Sequence, residues 1–570
     1  MIRRLLIANR GEIAVRIIRA CAEMGIESVA VYSAADAGAP HVVAADQAVA
    51  IGPAPAHESY LSAANLIEAA RSTGADAIHP GYGFLSENAS FAAACAGAGL
   101  IFVGPPADVI AQMGSKINAR RLVSAAGVPV VPGETPDDQS DRGIRQAVER
   151  IGLPALIKAS AGGGGKGMRH VHEPAEIDAS IQAARREAAA AFGDGTLYVE
   201  RLVAHPRHVE VQIFADDHGH VVHLFERDCS TQRRHQKVIE ESPSPALTPA
   251  LRARMTDAAV AAARAAGYRN AGTIEFLVDA GGPFYFLEMN TRLQVEHPVT
   301  EQITGLDLVR TQILVASGEP LPWTQAAISQ RGHAIEARLY AEDPAQGFLP
   351  QAGRLTRYRE ASGPGVRVDS GVVEGSEVSI YYDPMIAKVI ATAETRALAT
   401  ARLSAALRTF EIGGIKTNRA FLLTVLESDA FRTGAIDTAF LEREGAALAE
   451  ASVGGHQSSD EPVPSPQPPA PSRFDPWDTG VRSVRAQAAT GSVRRAATSA
   501  AGTLTAPMPA TVIKVHVEPG DAVKKGDIVV VLEAMKMELP LRALGNGVVS
   551  AVRCREGELV QADATLIEFV

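Results

Sequence analysis

Cysteine is scarce. The 570 residues hold four, Cys21, Cys95, Cys229 and Cys554, with no Cys-x-x-Cys pair among them. This disfavours both a disulfide framework and a structural zinc site and fits a reducing, cytoplasmic setting. No run of eighteen apolar residues is free of charge, and Met1-Ile2-Arg3-Arg4 leads straight into a strand pattern. Neither a membrane span nor a signal peptide is therefore expected. Positive charge is the minority sign, with 55 Lys and Arg against 65 Asp and Glu for a net charge of −10. No basic run alternates with the sparse aromatics (5 %), so nucleic acid is excluded as an expected partner. The dinucleotide fingerprint Gly-x-Gly-x-x-Gly is missing too, because Asn9-Arg10-Gly11-Glu12 follows the first strand pattern.

What is present is enough apolar side chain, 46 % of residues, to build several cores. At about 150 residues per domain the length implies three to four domains. In the N-terminal part, strand-like runs such as Leu5-Leu6-Ile7-Ala8 and Ser28-Val29-Ala30-Val31-Tyr32 alternate with amphipathic stretches such as residues 12–24, which predicts an α/β fold on an open parallel sheet. Residues 452–500 are rich in Ser, Pro, Ala, Gly and Gln and read as a tether. A flexible chain of that length has a root-mean-square span of roughly 40 Å. Beyond it, Val512, Val515, Gly520 and Val523 recur 37 positions later as Val549, Val552, Gly557 and Val560, the mark of a duplicated β module. Glu533-Ala534-Met535-Lys536-Met537 lies where the halves meet, which places Lys536 near a turn that a modifying enzyme and distant sites can reach.

Three further patterns carry chemistry. Lys158 ends a strand pattern just before Gly162-Gly163-Gly164-Gly165-Lys166-Gly167, where residues without Cβ let backbone N–H groups approach a phosphate. Downstream, Thr273 to Asn290 reads as a hairpin. A two-residue turn at Gly281-Gly282 would place Glu275 opposite Glu288, like charges that ask for a cation such as magnesium between them. If that strand continued to Glu296, residues 288, 290, 292, 294 and 296 would share one face. Arg292 would then offer a planar fork to a small anion, and Glu296 could accept its proton.

The chain resembles the biotin carboxylases, ATP-grasp enzymes, through Met113-Gly114-Ser115-Lys116, the glycine loop, Pro206-Arg207-His208-Val209-Glu210, Arg233-Arg234-His235-Gln236-Lys237 and residues 288–301. Its last part resembles a biotinyl domain, through Ala534-Met535-Lys536-Met537 and Ala506-Pro507-Met508-Pro509. Order and length are most similar to the α chain of actinobacterial acetyl- or propionyl-CoA carboxylases, so fatty acid biosynthesis is an expected setting. Longer propionyl-CoA carboxylase α chains carry a further folded domain before the biotinyl module, and pyruvate carboxylases carry a carboxyltransferase domain in the same chain. The resemblance implies a multidomain α/β (α+β) protein. Residues 1–113 form the N-terminal subdomain, 114–317 the ATP-grasp domain with a glycine-rich lid at about 130–203, and 333–445 the C-terminal subdomain. The linker is 452–500, and 503–570 form an all-β flattened barrel of lipoyl type.

The same resemblance assigns roles. Biotin is attached to Lys536. Lys116, Lys158, Gly163, Gly164, Gly165 and Gly167 bind ATP phosphates, and Glu200, Arg201, Leu202, His208, Gln232, His235 and Leu277 complete the nucleotide pocket. Glu275, Glu288 and Asn290 hold Mg2+ or Mn2+. Lys237, Arg292, Gln294 and Val295 bind bicarbonate, Glu296 is the general base, and Arg338 with Tyr82 and Gly83 meets the biotin ring. Implied partners are a carboxyltransferase β subunit, with room for a small accessory subunit, and a biotin protein ligase, in a hetero-oligomer. Alternatives are a carrier subunit of a pyruvate or methylcrotonyl-CoA carboxylase, a different ATP-grasp ligase, or a non-catalytic carrier scaffold. Two positions depart from the family pattern: Ser115 stands where Asp is usual, and Ala510 where glycine is usual.

Overall fold

A computed structural model describes residues 2–160, 168–454, 502–535 and 537–570. The chain divides into two units, Met1–Ala451 and Ser452–Val570.

The first unit begins with a parallel sheet of five strands. Their order is Gln47–Gly52, Glu27–Ser33, Arg4–Ile7, Ala77–His79 and Ile101–Phe102. The helix Gly11–Met24 crosses over it because Ile13, Ile17, Ile18 and Cys21 recur at helical spacing and are buried together. Gly25, at φ 67°, ends that helix in the left-handed region.

The expected parallel arrangement stops there. The principal sheet, of eight strands, is antiparallel throughout. Its order is Phe284–Asn290, Asn270–Val278, Arg207–Ala215, Val221–Arg233, Gln236–Ser242, His333–Tyr340, Met385–Ala393 and Val366–Ser370. Three of the pairings, Arg207–Ala215 with Val221–Arg233, Val221–Arg233 with Gln236–Ser242 and Asn270–Val278 with Phe284–Asn290, are joined by short connections that cannot supply a crossover. One is the turn through Arg234 and His235, both at positive φ (48° and 68°).

This sheet is apolar on one face and charged on the other. Val209, Val211 and Ile213 pack with Met255 and Ala259 of the helix Pro249–Ala265. Ile335, Ala337 and Leu339 pack with Leu403 and Leu407 of the helix Arg396–Thr409. Strand alternation therefore sends His208, Glu210, Glu336 and Arg338 to the opposite face. There the short helix His297–Thr304 covers part of the sheet, with Val299 and Ile303 on Ala334 and Ile390. A separate four-stranded sheet, Gly133–Glu134, Leu197–Arg201, Ala155–Ala159 and Arg169–Val171, has its own core with Ile144, Val148 and Ile181 from two helices.

The second unit realises the 37-residue repeat as an interlocked pair. Gly557 N donates to Val512 O (2.7 Å) and Gly520 N to Val549 O (2.8 Å), the same bond in each half. Val512 N donates to Glu558 O and Val549 N to Asp521 O, both at 2.9 Å. Each half thus completes the other's sheet, giving two four-stranded sheets around Val512, Val529, Leu532, Val549, Leu566 and Ile567.

Candidate functional site

The hairpin Asn270–Val278 with Phe284–Asn290 does place Glu275 opposite Glu288. The route differs from the expected two-residue turn. Near the turn the register is Val278 with Phe284 and Phe276 with Phe286, and a bulge between Glu275 and Phe276 shifts it by one. The turn itself is longer, since Asp279 N donates to Pro283 O and Gly282 N to Asp279 O (2.9 Å each). The strand then ends at Asn290, so the five-residue polar stripe to Glu296 does not form. Residues 291–296 instead run as a loop into the helix His297–Thr304, with Glu296 at its N-cap.

That loop delivers Glu296, fully buried, to a centre built on Lys237. The Lys237 ammonium meets Glu210 Oε2 at 2.6 Å, Glu275 Oε1 at 2.9 Å and Glu296 Oε1 at 2.6 Å. Each carboxylate has a second basic group behind it. Arg227 lies 2.6 Å from Glu210, His208 2.9 Å from Glu275, and Arg338 2.9 Å from Glu296. Burial opposes charge on all of these groups, but Lys237 with Arg338 holds Glu296 well below the usual carboxylate range, and Lys237 with His208 does the same for Glu275. Glu275 in turn raises His208 despite its burial. Glu296, the expected general base, is therefore held as an anion by cations that also weaken it as a base.

Around this centre sit the other expected residues. Arg292 donates to Glu87 (2.7 Å), Gln294 (2.8 Å) and Asn290 (3.2 Å). Asn290 and Gln294 both donate to Glu275 Oε1, at 2.8 and 3.4 Å. Gln232 lies 3.4 Å from His208 Nδ1. Val295 presents its carbonyl to Lys388 (2.8 Å). The Glu288 carboxylate makes no hydrogen bond among the described residues, and burial together with Glu275 raises its carboxyl. Two opposed acids, one without a partner, with the amide of Asn290 beside them, form an oxygen donor set suited to a hard divalent cation. His208, Glu210 and Glu275 also bring ligand atoms within 4.8 Å of one another.

The phosphate residues are distributed over two segments. Lys158 is buried and bridges to Glu200 Oε2 at 2.5 Å, while Arg120 takes Glu200 Oε1 at 2.6 Å. Lys116 opens the helix Lys116–Ala125, its amine lowered by burial and partly restored by Glu288. Ser115 caps that helix, accepting from Asn118 N at 3.4 Å, a role that Ser and Asp share; this accounts for its departure from the family pattern. Arg201 is exposed and tied to Tyr285 (2.8 Å), Leu202 and Leu277 are half-buried, and His235 is exposed at its hairpin tip. Tyr82 donates its hydroxyl to Glu12 beside the exposed Gly83. Gly163, Gly164, Gly165, Gly167 and Lys536 lie outside the described residues. Beside Lys536, Ala534 pairs with Met537, and Met535 is buried at φ 51°.

Sequence reasoning missed Glu210, Arg227, Glu240, Glu87 and Lys388. For Glu210 a signal existed, since His208, Glu210 and Gln212 alternate with valine and isoleucine along one strand. Cys229 is fully buried with Sγ 4.0 Å from Glu296 Oε1; burial and Glu210 keep its thiol protonated, consistent with a structural thiol. Glu240 accepts from Arg338 Nε at 2.5 Å, yet burial outweighs that cation and raises its carboxyl from 4.5 to about 7. A raised value means that the folded chain binds a proton the unfolded chain has released. This stabilisation is complete below pH 4.5 and is lost as pH climbs through about 7. Glu240→Gln should flatten the dependence of Tm on pH over that window, read by thermal melts at constant ionic strength.

Four family models match: "Biotin carboxylase, N-terminal domain" at residues 1–110, "Carbamoyl-phosphate synthase L chain, ATP binding domain" at 115–324, "Biotin carboxylase C-terminal domain" at 336–443, and "Biotin-requiring enzyme" at 502–569. Biotin carboxylase 2 of Bacillus subtilis is 52 % identical over 443 residues, which are 78 % of this chain and 100 % of that one. The methylcrotonoyl-CoA carboxylase subunit alpha of Oryza sativa is 54 % identical over 444 residues, 78 % of this chain. The chain spans about 60 % of the length of that relative. Among solved structures, the biotin carboxylase domain of the Hydrogenobacter thermophilus 2-oxoglutarate carboxylase, in complex with MgADP, ADP and bicarbonate, superposes with a TM-score of 0.76 at 44 % identity. It covers 79 % of this chain and 99 % of that one.

Proposed function

This chain belongs to the biotin carboxylase family and carries a biotin-requiring domain after it, and from that premise we propose that it carboxylates its own biotin, using ATP and bicarbonate. The observation that carries the reading is the Lys237 centre, where one ammonium and three carboxylates converge in a buried space backed by Arg227, His208 and Arg338. Such a centre binds a small anion by exchange. As bicarbonate draws hydrogen bonds from Lys237 and Arg292, Glu296 loses part of the cationic field that weakens it as a base and takes the bicarbonate proton. The resulting oxyanion attacks the γ-phosphate of ATP held by Lys116 and Lys158, the bond from that phosphorus to the β-phosphate oxygen breaks, and ADP leaves as carboxyphosphate forms. That step is mainly positioning and charge neutralisation.

Glu275, Glu288 and Asn290 would hold magnesium, which when bound neutralises phosphate charge. Biotin on Lys536 would supply the ring nitrogen that accepts the carboxyl group as carboxyphosphate gives up its phosphate, and the departing phosphate would take the proton that the nitrogen loses. Arg338, already paired with Glu240 and Glu296, would hold negative charge developing on that ring, and Tyr82 and Gly83 would meet the ring. The acceptor beyond this chain is proposed to be acetyl- or propionyl-CoA, reached through a carboxyltransferase β subunit. Only about 58 residues separate the family match that ends at 443 from the one that begins at 502, which suits the shorter α chains. Methylcrotonoyl-CoA is the second reading, favoured by the rice relative. The test is ATP cleavage by the purified chain. It should require bicarbonate and rise with free biotin, whereas cleavage indifferent to bicarbonate would refute the proposal. Adding the β partner with each acyl-CoA in turn separates the two acceptors.

A further inference from the structure

Burying an ammonium is costly, and strands of this sheet fill equivalent positions with apolar residues, as Ile390 does two places beyond Lys388. Lys388 is nevertheless 0 % exposed. Its Nζ donates to the Val295 carbonyl at 2.8 Å, lies 3.1 Å from Glu12 Oε1 and 3.9 Å from Asp369 Oδ2. Tyr82 donates its hydroxyl to that same Glu12 oxygen. One cation thus ties together the N-terminal helix, the loop of residues 291–296 and the far edge of the principal sheet.

We propose that Lys388 is a positioning residue that couples the Tyr82 side of the site to the general base, by holding the peptide bond between Val295 and Glu296. The Val295 carbonyl belongs to the peptide group that enters Glu296, whose N-cap backbone (φ −81°, ψ 10°) sets where the carboxylate reaches. Glu296 must sit 2.6 Å from Lys237 and 2.9 Å from Arg338, and a small tilt of that peptide breaks both. Glu12 is the relay: its carboxylate answers to Tyr82 on one side and to Lys388 on the other. A neighbouring network, in which Glu301 is bridged by Arg16 and Arg367, already ties helix to sheet without touching the loop. Lys388 is distinguished from it by its bond to the Val295 carbonyl.

The inference rests on the function proposed above, and its test separates the two. In the full-length chain, bicarbonate-dependent ATP cleavage is measured for Lys388→Met, Glu12→Gln and Glu296→Gln, with free biotin varied. Misplacement of the base by about an ångström costs on the order of 100-fold. Lys388→Met should accordingly lower kcat/KM for bicarbonate by about 10- to 100-fold, with KM for ATP within about threefold. Glu12→Gln, in a different segment, should raise KM for free biotin and for bicarbonate together. A lower Tm with both KM values unchanged would make Lys388 and Glu12 merely structural and overturn the proposal. If Lys388→Met fails to fold, the bicarbonate KM of Glu12→Gln decides, and no change there is the overturning result. Full activity in Glu296→Gln would place the base elsewhere and overturn the positioning proposal with it, whereas ATP cleavage by the unmutated chain that is indifferent to bicarbonate would sink the parent function instead.

Discussion

Lys536→Arg is expected to abolish incorporation of labelled bicarbonate into the chain while leaving bicarbonate-dependent cleavage of ATP, supported by free biotin, within about twofold of the unmutated rate. The reason is chemical. Arginine keeps the positive charge, but a guanidinium that stays protonated offers no free amine to acylate, so no biotin can be attached. Lys237, Glu275, Glu296 and Arg338 all belong to the first unit, whereas Lys536 belongs to the second. Intact mass gives the biotin count, and acid-quenched scintillation gives the label. Label on the variant chain would remove Lys536 from the account.

Glu296→Gln should lower bicarbonate-dependent ATP cleavage by about 100- to 10,000-fold, the range a positioned general base contributes. An amide accepts no proton, so the chemistry is lost even where the shape is kept. A stability cost accompanies it, because Lys237 and Arg338 each lose a charged partner in a buried place. Nucleotide affinity, which the proposal assigns to Lys116 and Lys158 on other segments, should stay within about threefold. Rate and affinity measured on the same preparation, with Tm alongside, separate lost chemistry from lost fold. A residual rate above a tenth of the unmutated one would assign the base elsewhere.

The sequence made the repeat in the second unit legible because each half contributes the same strands and turns at a fixed interval, and the hydrogen bonds of Val512 and Val549 follow that interval. The pairing of Glu275 with Glu288 was reached through an incorrect turn. A longer loop and a bulge compensate each other, and neither leaves a mark at the level of residue spacing. The end of the strand at Asn290 was hidden for a related reason: alternating polar residues fit an extended strand, but residues 291–296 are fixed by tertiary contacts such as Arg292 with Glu87, 205 positions away. The antiparallel order of the principal sheet depends on which strands meet, which local pattern does not encode. Lys388 was illegible altogether. Its hydrogen-bond partner Val295 is 93 positions away, and nothing beside it in sequence marks it as charged for a purpose.

The central claim is that bicarbonate, activated at the Lys237 and Glu296 centre, is the group that attacks ATP. It is tested most directly with bicarbonate labelled throughout with oxygen-18, supplied with Mg-ATP and free biotin, followed by mass analysis of the phosphate released before the label exchanges with water. The account predicts an oxygen from bicarbonate in that phosphate. Phosphate that takes its new oxygen from water alone would mean that ATP is simply hydrolysed, and would contradict it.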